Sequence, residues 1–473
     1  MKRIWNTETL TKEGEIVRLC GWAHSIRRMG DKLIFVDLRD KTGLIQLVFY
    51  KPDLDEVVSQ IIDKVRPEYV LQVEGVVQKR NAKSINPDIE TGIVEIAVGK
   101  ISILSEAKTP PFEIDKDTKG INEELRLKYR YLDLRSSRMK KNIEMRQMVF
   151  HFVRNYLHNE NFTEVQTPIL TKSTPEGARD YLVPSRKFPG KFFALPQSPQ
   201  QYKQLLMVAG IERYFQISPC FRDEDARADR SPGEFYQIDM EMSFMSQDEI
   251  LELVEKMFTK MVQELFPEKK IMQEPWPKLN YSEVMEKYGT DKPDLRNDKN
   301  DPNELAFAWV VNFPLFVEQS EDDHFHGAGD KLAPSHHMFT APKEEDIAML
   351  DSEPLKVRSY QHDLVLNGIE VGGGSIRIHD PELQAKIFDL IGFSDEQKEQ
   401  FGHMLEAFEY GVPPHGGVAP GFDRLVSILA GENNIREVIA FPLMGDARDP
   451  LMDAPSQVSP GQLKELGIEI KNK

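Results

Sequence analysis

Apolar and polar positions alternate strictly through most of the first hundred residues. The runs Ile16–Ser25, Lys32–Asp40, Gly43–Tyr50, Tyr69–Lys79 and Ile93–Leu104 each place every second side chain on one face. A helical stretch, Leu54–Lys64, separates the third run from the fourth. Five strands with a helix after the third are the order of an OB barrel, which commonly binds single-stranded nucleic acid. Arg27 and Arg28 precede the second strand, Phe35 and Gln46 lie in the second and third, and Arg80 follows the fourth. Basic groups beside an aromatic ring suit base stacking with phosphate contact, at roughly 1–3 kcal/mol per stacked base. A place in the barrel core is the competing reading of Phe35.

Residues 106–127, with Pro110 and Pro111, read as a linker between a first domain at 1–105 and a second at 128–473. In the second domain the period changes. Asn142–Leu157 carries a helical stripe (Met145, Met148/Val149, Phe152/Val153, Tyr156), followed by a strand ending at Thr167-Pro168. Ser198 as N-cap, Pro199 as first helical residue and Gly210 as stop frame a helix with Gln200, Lys203 and Gln204 on one face. Tyr214–Phe221 and Phe235–Phe244 form a hairpin. In its second arm Tyr236, Ile238, Met240, Met242 and Phe244 take one face, and Phe235, Gln237, Asp239, Glu241 and Ser243 the other. The second face is too polar for a core and suits the floor of a site. Ser246–Glu249 forms a capping box for a helix to about Phe266. Residues 268–305 read as a surface connection. Strands return from Ala306 to Arg377, and Gly416–Gly431 reads as a glycine-rich turn opening a helix.

At 473 residues the chain exceeds one ordinary core. No apolar run reaches membrane-span length, and the N-terminus lacks a signal-peptide core. Cys20 and Cys220 sit far apart in separate apolar strands, which argues against a disulfide framework and fits a reducing cytoplasm. The formal net charge of −17 disfavours a general nucleic-acid coat protein. Residues 1–105, however, hold 16 Lys and Arg against 15 Asp and Glu, so a polyanion meets that segment more easily than the rest.

Several side chains suggest chemistry. Arg222, with Arg227 and Arg230 in the hairpin loop, suits an anionic ligand held by guanidinium forks. Asp363 and Glu370 are carboxylates in apolar strands, and such a pair suits Mg²⁺ held partly through substrate phosphates. Gly372–Gly374 suggest close approach or positive φ. Ser375, Arg377 and His379 share a strand face. A helix N-terminus at Gly421 with Arg424 in its first turn is a ready phosphate site. His324-x-His326 and His336-His337 lack a third metal ligand at usable spacing and read as loop histidines.

Taken together these pieces resemble the class II aminoacyl-tRNA synthetases, specifically the bacterial-type aspartyl-tRNA synthetases. The helix and strand from about Asn142 to Pro168 look like motif 1, Phe221–Phe244 like motif 2, and Gly417–Arg424 like motif 3. Thr174–Tyr181 matches the family's flipping loop, and Gln197–Leu206 its aspartate-binding helix. The short 268–305 connection stands where bacterial members carry a large inserted domain. The resemblance implies an α+β fold: an N-terminal OB barrel that binds the anticodon, then a catalytic domain with a central antiparallel sheet flanked by helices.

The implied reaction is activation of L-aspartate by ATP to aspartyl-adenylate, then transfer to tRNA-Asp, with tRNA-Asn an open second acceptor. The implied catalytic residues are Arg222, Glu370 and Arg424. ATP would meet Arg222, Glu224, Phe235, Gln237, Glu370, Gly421 and Arg424, with Mg²⁺ on Asp363 and Glu370. Aspartate would meet Glu176, Ser198, Gln200, Lys203, Asp239, His336, His337 and Arg377. The anticodon would meet Arg28, Phe35, Gln46, Arg80 and Glu95. Motif 1 implies a homodimer. Asparaginyl- or lysyl-tRNA synthetases share the architecture, but Lys203 would repel a lysine side chain and has no reason to face an amide. A non-catalytic RNA-binding relative would be expected to have lost Arg222, Glu370 or Arg424.

Overall fold

The computed structural model describes residues 1–174, 176–224, 233–319 and 332–471. The chain divides into two units, Met1–Asn122 with Tyr131–Ser137, and Glu123–Arg130 with Arg138–Lys473. Residues 106–122 hold no regular element, whereas Glu123–Lys128 is helical and belongs to the second unit.

In the first unit the alternating runs close a barrel. Its strands are β1 (Ile16–Met29), β2 (Leu33–Asp40), β3 (Gly43–Tyr50), β4 (Val70–Lys79) and β5 (Val94–Ser105), in the order β1-β2-β3-β5-β4. Helix α1 (Glu56–Lys64) follows β3 as expected. Inward residues such as Leu19, Ile34, Val36, Leu47, Val73 and Ile96 make one core, so their neighbours in sequence face outward. Phe35 is among these and is half-buried, not in the core. Strand β1 runs four residues past its expected end, because Ile26–Met29 stay paired to Leu33–Val36 beyond a bulge at Ala23/Ser25.

The second unit is built on an eight-stranded sheet. Its strands are β6 (Thr163–Glu164), β7 (Arg213–Arg222), β8 (Gly233–Ser243), β9 (Lys278–Asn280), β10 (Phe307–Val311), β11 (Gln361–Leu366), β12 (Ile369–Ile376) and β13 (His415–Pro420). The order is β9-β10-β11-β12-β13-β8-β7-β6. The pairings are antiparallel except at the two edges, where β9/β10 and β6/β7 are parallel. Helices α2 (Ser137–Asn159), α3 (Gln200–Val208), α4 (Gln247–Leu265), α5 (Tyr281–Tyr288) and α6 (Phe422–Ala430) accompany it. The apolar face of β8 (Ile238, Met240, Met242) packs with Val254, Met257 and Phe258 of α4 and with Leu425 of α6 in the main core. The capping box of Ser246 and Glu249 starts α4 as its sequence requires.

Five expectations change. Phe244 leaves the alternation: β8 ends at Ser243, and Phe244 has φ +59° and is 65% exposed. Helix α3 begins one residue late, with Pro199 rather than Ser198 at the cap, while Gly210 ends it at φ +81°. The strand after α2 shrinks to Thr163–Glu164. Residues 268–305 are more than a surface connection, since they supply edge strand β9, helix α5 and the buried Trp276, which stacks on Phe307. Gly416 and Gly417 lie in a central strand rather than a turn. The apolar stripe of α2 is also already covered: Met145, Val149, Val153 and Leu157 join the unit's own core, leaving Met148, Ile169 and Leu170 exposed nearby. The stripe therefore adds no large apolar face to the surface.

Candidate active site

The polar face of β8 is a floor. Above it lies a cavity of about 260 Å³, lined among others by Ser198, Gln200, Lys203, Arg222, Glu224, Phe235, Gln237, Asp239, His336, His337, Glu370, Arg377, Gly421 and Arg424. Fourteen of the fifteen residues expected around ATP and aspartate line it, because antiparallel neighbours β7, β8, β13 and β12 bring strands distant in sequence side by side.

The glycines make this possible. A Cβ on Gly374 would lie 2.0 Å from the Gly417 carbonyl oxygen, and one on Gly417 2.1 Å from Glu241 Oε2. Close approach, not positive φ, is the reason for Gly372–Gly374, which are absent from the positive-φ residues.

At the inner end, Lys203 Nζ donates to Asp239 Oδ1 at 2.7 Å and lies 3.2 Å from Glu241 Oε2. Arg377 Nε donates to Glu241 Oε1 at 3.0 Å, and its Nη1 donates to Ser375 Oγ at 2.8 Å. The side chains of Lys203 and Arg377 are only 2% and 5% exposed. Burial pushes the Glu241 carboxyl up, but Arg377 and Lys203 outweigh it and hold it down to about 2. Burial raises Asp239 despite Lys203. Burial also lowers His337 well below the usual imidazole range, and the cations Arg377, Lys203 and Arg222 add to that, so His337 is neutral at pH 7. At this end two cations, Lys203 and Arg377, face two carboxylates, Asp239 and Glu241. Four buried polar atoms of residues lining this cavity have no partner among the described residues: Arg222 Nε, Asp239 Oδ2, His336 Nδ1 and His337 Nε2. Buried polar groups are rarely left so unless a ligand completes them.

Towards the mouth, the Arg222 guanidinium sits 5.1 Å from the Phe235 ring centroid. Arg424 Nη1 donates to the Glu370 carbonyl at 2.7 Å and stands 3.7 Å from its carboxylate. Arg146 of α2 binds Asp423, which also accepts from the Tyr236 amide at 2.9 Å, so motifs 1, 2 and 3 meet at one carboxylate. Asp363 and Glu370 flank the space over Gly373, where a Cβ would lie 3.0 Å from Asp363 Oδ1 and 3.7 Å from Glu370 Oε1. Asp363 is engaged by His336 at 3.3 Å and by Gln361 at 2.7 Å. Burial disfavours the His336 cation, but Asp363 more than offsets this and raises it. No group of three ligating side chains exists among the described residues.

Glu176 does not line this cavity. It accepts from Gln201 Nε2 and Thr174 Oγ1 in an adjoining one that shares Ser198. His379, expected beside Arg377, is exposed beyond the end of β12. Pro175, Arg227, Arg230, His324 and His326 lie outside the described residues. Glu241, Gln204 and His415 went unassigned in the sequence. Glu241 stood on the polar face of β8 and was visible by alternation, but its role as shared counter-ion needed the register.

On the barrel, Arg27 rather than Arg28 stands with Phe35. The register pairs Arg27 with Phe35 and Arg28 with the inward Ile34, so Arg28 turns to Asp63 at 3.2 Å. Arg27 Nη2 donates to Gln46 Oε1 at 2.9 Å, and Gln46 Nε2 donates to Glu95 Oε2 at 2.8 Å. Arg80 is buried, donating to the Val94 carbonyl at 3.1 Å, and backs Glu95 at 3.8 Å instead of presenting its guanidinium to solvent.

An OB barrel followed by an antiparallel sheet with a strand-end arginine, a shared counter-ion network and a helix-start arginine defines an aminoacyl-tRNA ligase of the second class. Residues 122–445 match the family of tRNA synthetases class II (D, K and N), and residues 17–104 the OB-fold nucleic acid binding domain. The chain belongs to the class II tRNA synthetases. Among its relatives, an aspartate–tRNA(Asp/Asn) ligase of Rubrobacter xylanophilus is 42% identical, covering 97% of this chain and 95% of the relative. An aspartate–tRNA ligase of Staphylococcus epidermidis is 40% identical, covering 97% of each. The first alignment spans 581 positions, more than the chain's own length, so that relative carries stretches this chain lacks. Asparaginyl-tRNA synthetase from Pyrococcus horikoshii shares the fold at TM-score 0.73 and 22% identity, over 93% of this chain and 98% of that one.

Proposed function

We propose that this chain ligates aspartate to tRNA, activating the amino acid with ATP. The observation that carries this is the buried Lys203–Glu241–Arg377 arrangement beside the unpartnered Asp239 Oδ2 and Arg222 Nε. Two buried cations converging on the inner end of the cavity suit a substrate with a carboxylate side chain. Lys203 and Arg377 take the side-chain carboxylate, Asp239 Oδ2 takes the α-ammonium, and Arg222 faces the α-carboxylate and α-phosphate. Gln200 and Ser198 line the same end, and the neutral His337 can donate or accept there.

The substrate carboxylate is already an ionised nucleophile, so no general base is required. Catalysis is then positioning and charge neutralisation. Arg222 stabilises charge as it grows on the α-phosphate, Arg424 holds the far phosphates, and Phe235 offers a face for the base. Asp363 and Glu370 fit Mg²⁺ bound largely through phosphates and water, since they supply two carboxylates over Gly373 and no closed ligand set. When bound, the ion would screen the phosphate charge.

Diphosphate exchange tests the reading: aspartate, and neither asparagine nor lysine, should support it. Aspartylation of tRNA-Asp and tRNA-Asn side by side then reads the acceptor range.

Two further outcomes follow from the same reading. The Arg27–Gln46–Glu95 chain beside Phe35 is the anticodon surface, so Phe35→Ala should raise KM for tRNA about tenfold, the loss of one stacked base. Adenylate formation without tRNA should be nearly untouched, and loss of both activities together would contradict this. The working unit is a homodimer, with Met148, Ile169 and Leu170 in its interface. Sedimentation at micromolar concentration should give about twice 54.4 kDa. An active monomer would refute it.

A further inference from the structure

Lys292 lies in the stretch that the sequence assigns to a surface connection, yet its Nζ stands 3.5 Å from Glu370 Oε2. The segment around it is held firmly. The Lys292 amide donates to Thr290 Oγ1 at 3.2 Å, and Arg296 forks onto Asp294 through Nε and Nη2 at 3.0 and 2.7 Å. Asp294 in turn sits against the β11–β12 turn, where a Cβ on Gly368 would lie 3.2 Å from its own Cβ. The amides of Asn297 and Asp298 both donate to Glu304 Oε2, closing the stretch downstream. This backbone brings a side chain that is 41% exposed to Glu370 Oε2, the same oxygen that Arg424 approaches at 3.7 Å, and Glu370 and Arg424 both line the cavity.

From this geometry, and resting on the activation reaction proposed above, we infer that Lys292 is a further substrate-binding residue: it contacts the β- and γ-phosphates of ATP and hence the diphosphate that leaves. In the resting site it neutralises Glu370 together with Arg424. A polyphosphate arriving at this mouth offers several anionic oxygens in place of one carboxylate. A lysine on a flexible stem can swing to them as a point charge, while its anchored backbone keeps it within reach. Glu370 is then released to its own role at the phosphates.

The test is steady-state diphosphate exchange with Lys292→Ala and Lys292→Arg, alongside thermal melts. Lys292→Ala should raise KM for ATP and for diphosphate about tenfold, the loss of one charge-assisted contact, with KM for aspartate within about twofold of wild type. Lys292→Arg should recover most of both. Unchanged KM for ATP and diphosphate overturns the inference. So does an equal rise in all three constants with a lowered melting temperature that arginine fails to rescue, which marks a structural role. Wild-type protein without aspartate-dependent exchange instead defeats the proposed activity itself, and is distinguishable because it needs no variant.

Discussion

Arg222→Ala should lose aspartate-dependent diphosphate exchange by at least about 10²- to 10³-fold, the cost of removing a preorganised donor from developing charge. The geometry makes this a clean experiment. Arg222 ends β7, its Nε is buried without a partner among the described residues, and its guanidinium lies over Phe235. Its removal takes away a ring contact and leaves the Asp239, Glu241 and Glu370 ion pairs intact, so the far-ultraviolet circular dichroism should match wild type. Arg222→Lys should recover little, because one ammonium cannot reproduce a planar fork. Exchange at more than a third of the wild-type rate in the alanine variant would remove Arg222 from the mechanism.

Lys203→Leu should lower kcat/KM for aspartate by at least about 10²-fold, since a buried charge-assisted pair contributes roughly 3 kcal/mol. Asparagine should not take its place as a substrate, because Arg377 remains buried and still demands an anion. The substitution also strips Asp239 of its Lys203 ion pair. Asp239, already raised by burial, should then protonate more readily and hold the α-ammonium less well. Lys203→Met, closer in shape, separates packing loss from charge loss. Unchanged aspartate kinetics in both variants would show that Lys203 does not face the substrate, and the amino-acid assignment would fall.

Much of this was legible in the chain. Period-2 alternation marked the barrel strands and the polar face of β8, because a sheet with one buried face cannot hide its pattern. The Ser246–Glu249 box and Gly210 stop were local chemistry, settled within a few residues. What failed had non-local causes. Arg28 and Arg27 are adjacent in sequence, and only the pairing with Phe35 and Ile34 separates the one beside the ring from the one turned to Asp63. Arg80 looked like a free cation, but the β5 carbonyl of Val94 and the Glu95 carboxylate capture it. Glu176 was placed with the substrate, yet its partners Thr174 and Gln201 hold it in the neighbouring cavity.

By itself, then, the sequence determined which residues alternate, where helices start and stop, and which side chains could bear the chemistry, since propensity and period act over short range. Tertiary structure alone decided that Glu241 is the counter-ion shared by Lys203 and Arg377, and that Lys292 reaches Glu370. It also decided that the α2 stripe is spent on the chain's own core. Each of those depends on strand order and register, which bring together residues more than thirty positions apart. Coulomb attraction and burial then act on distances that no local pattern contains.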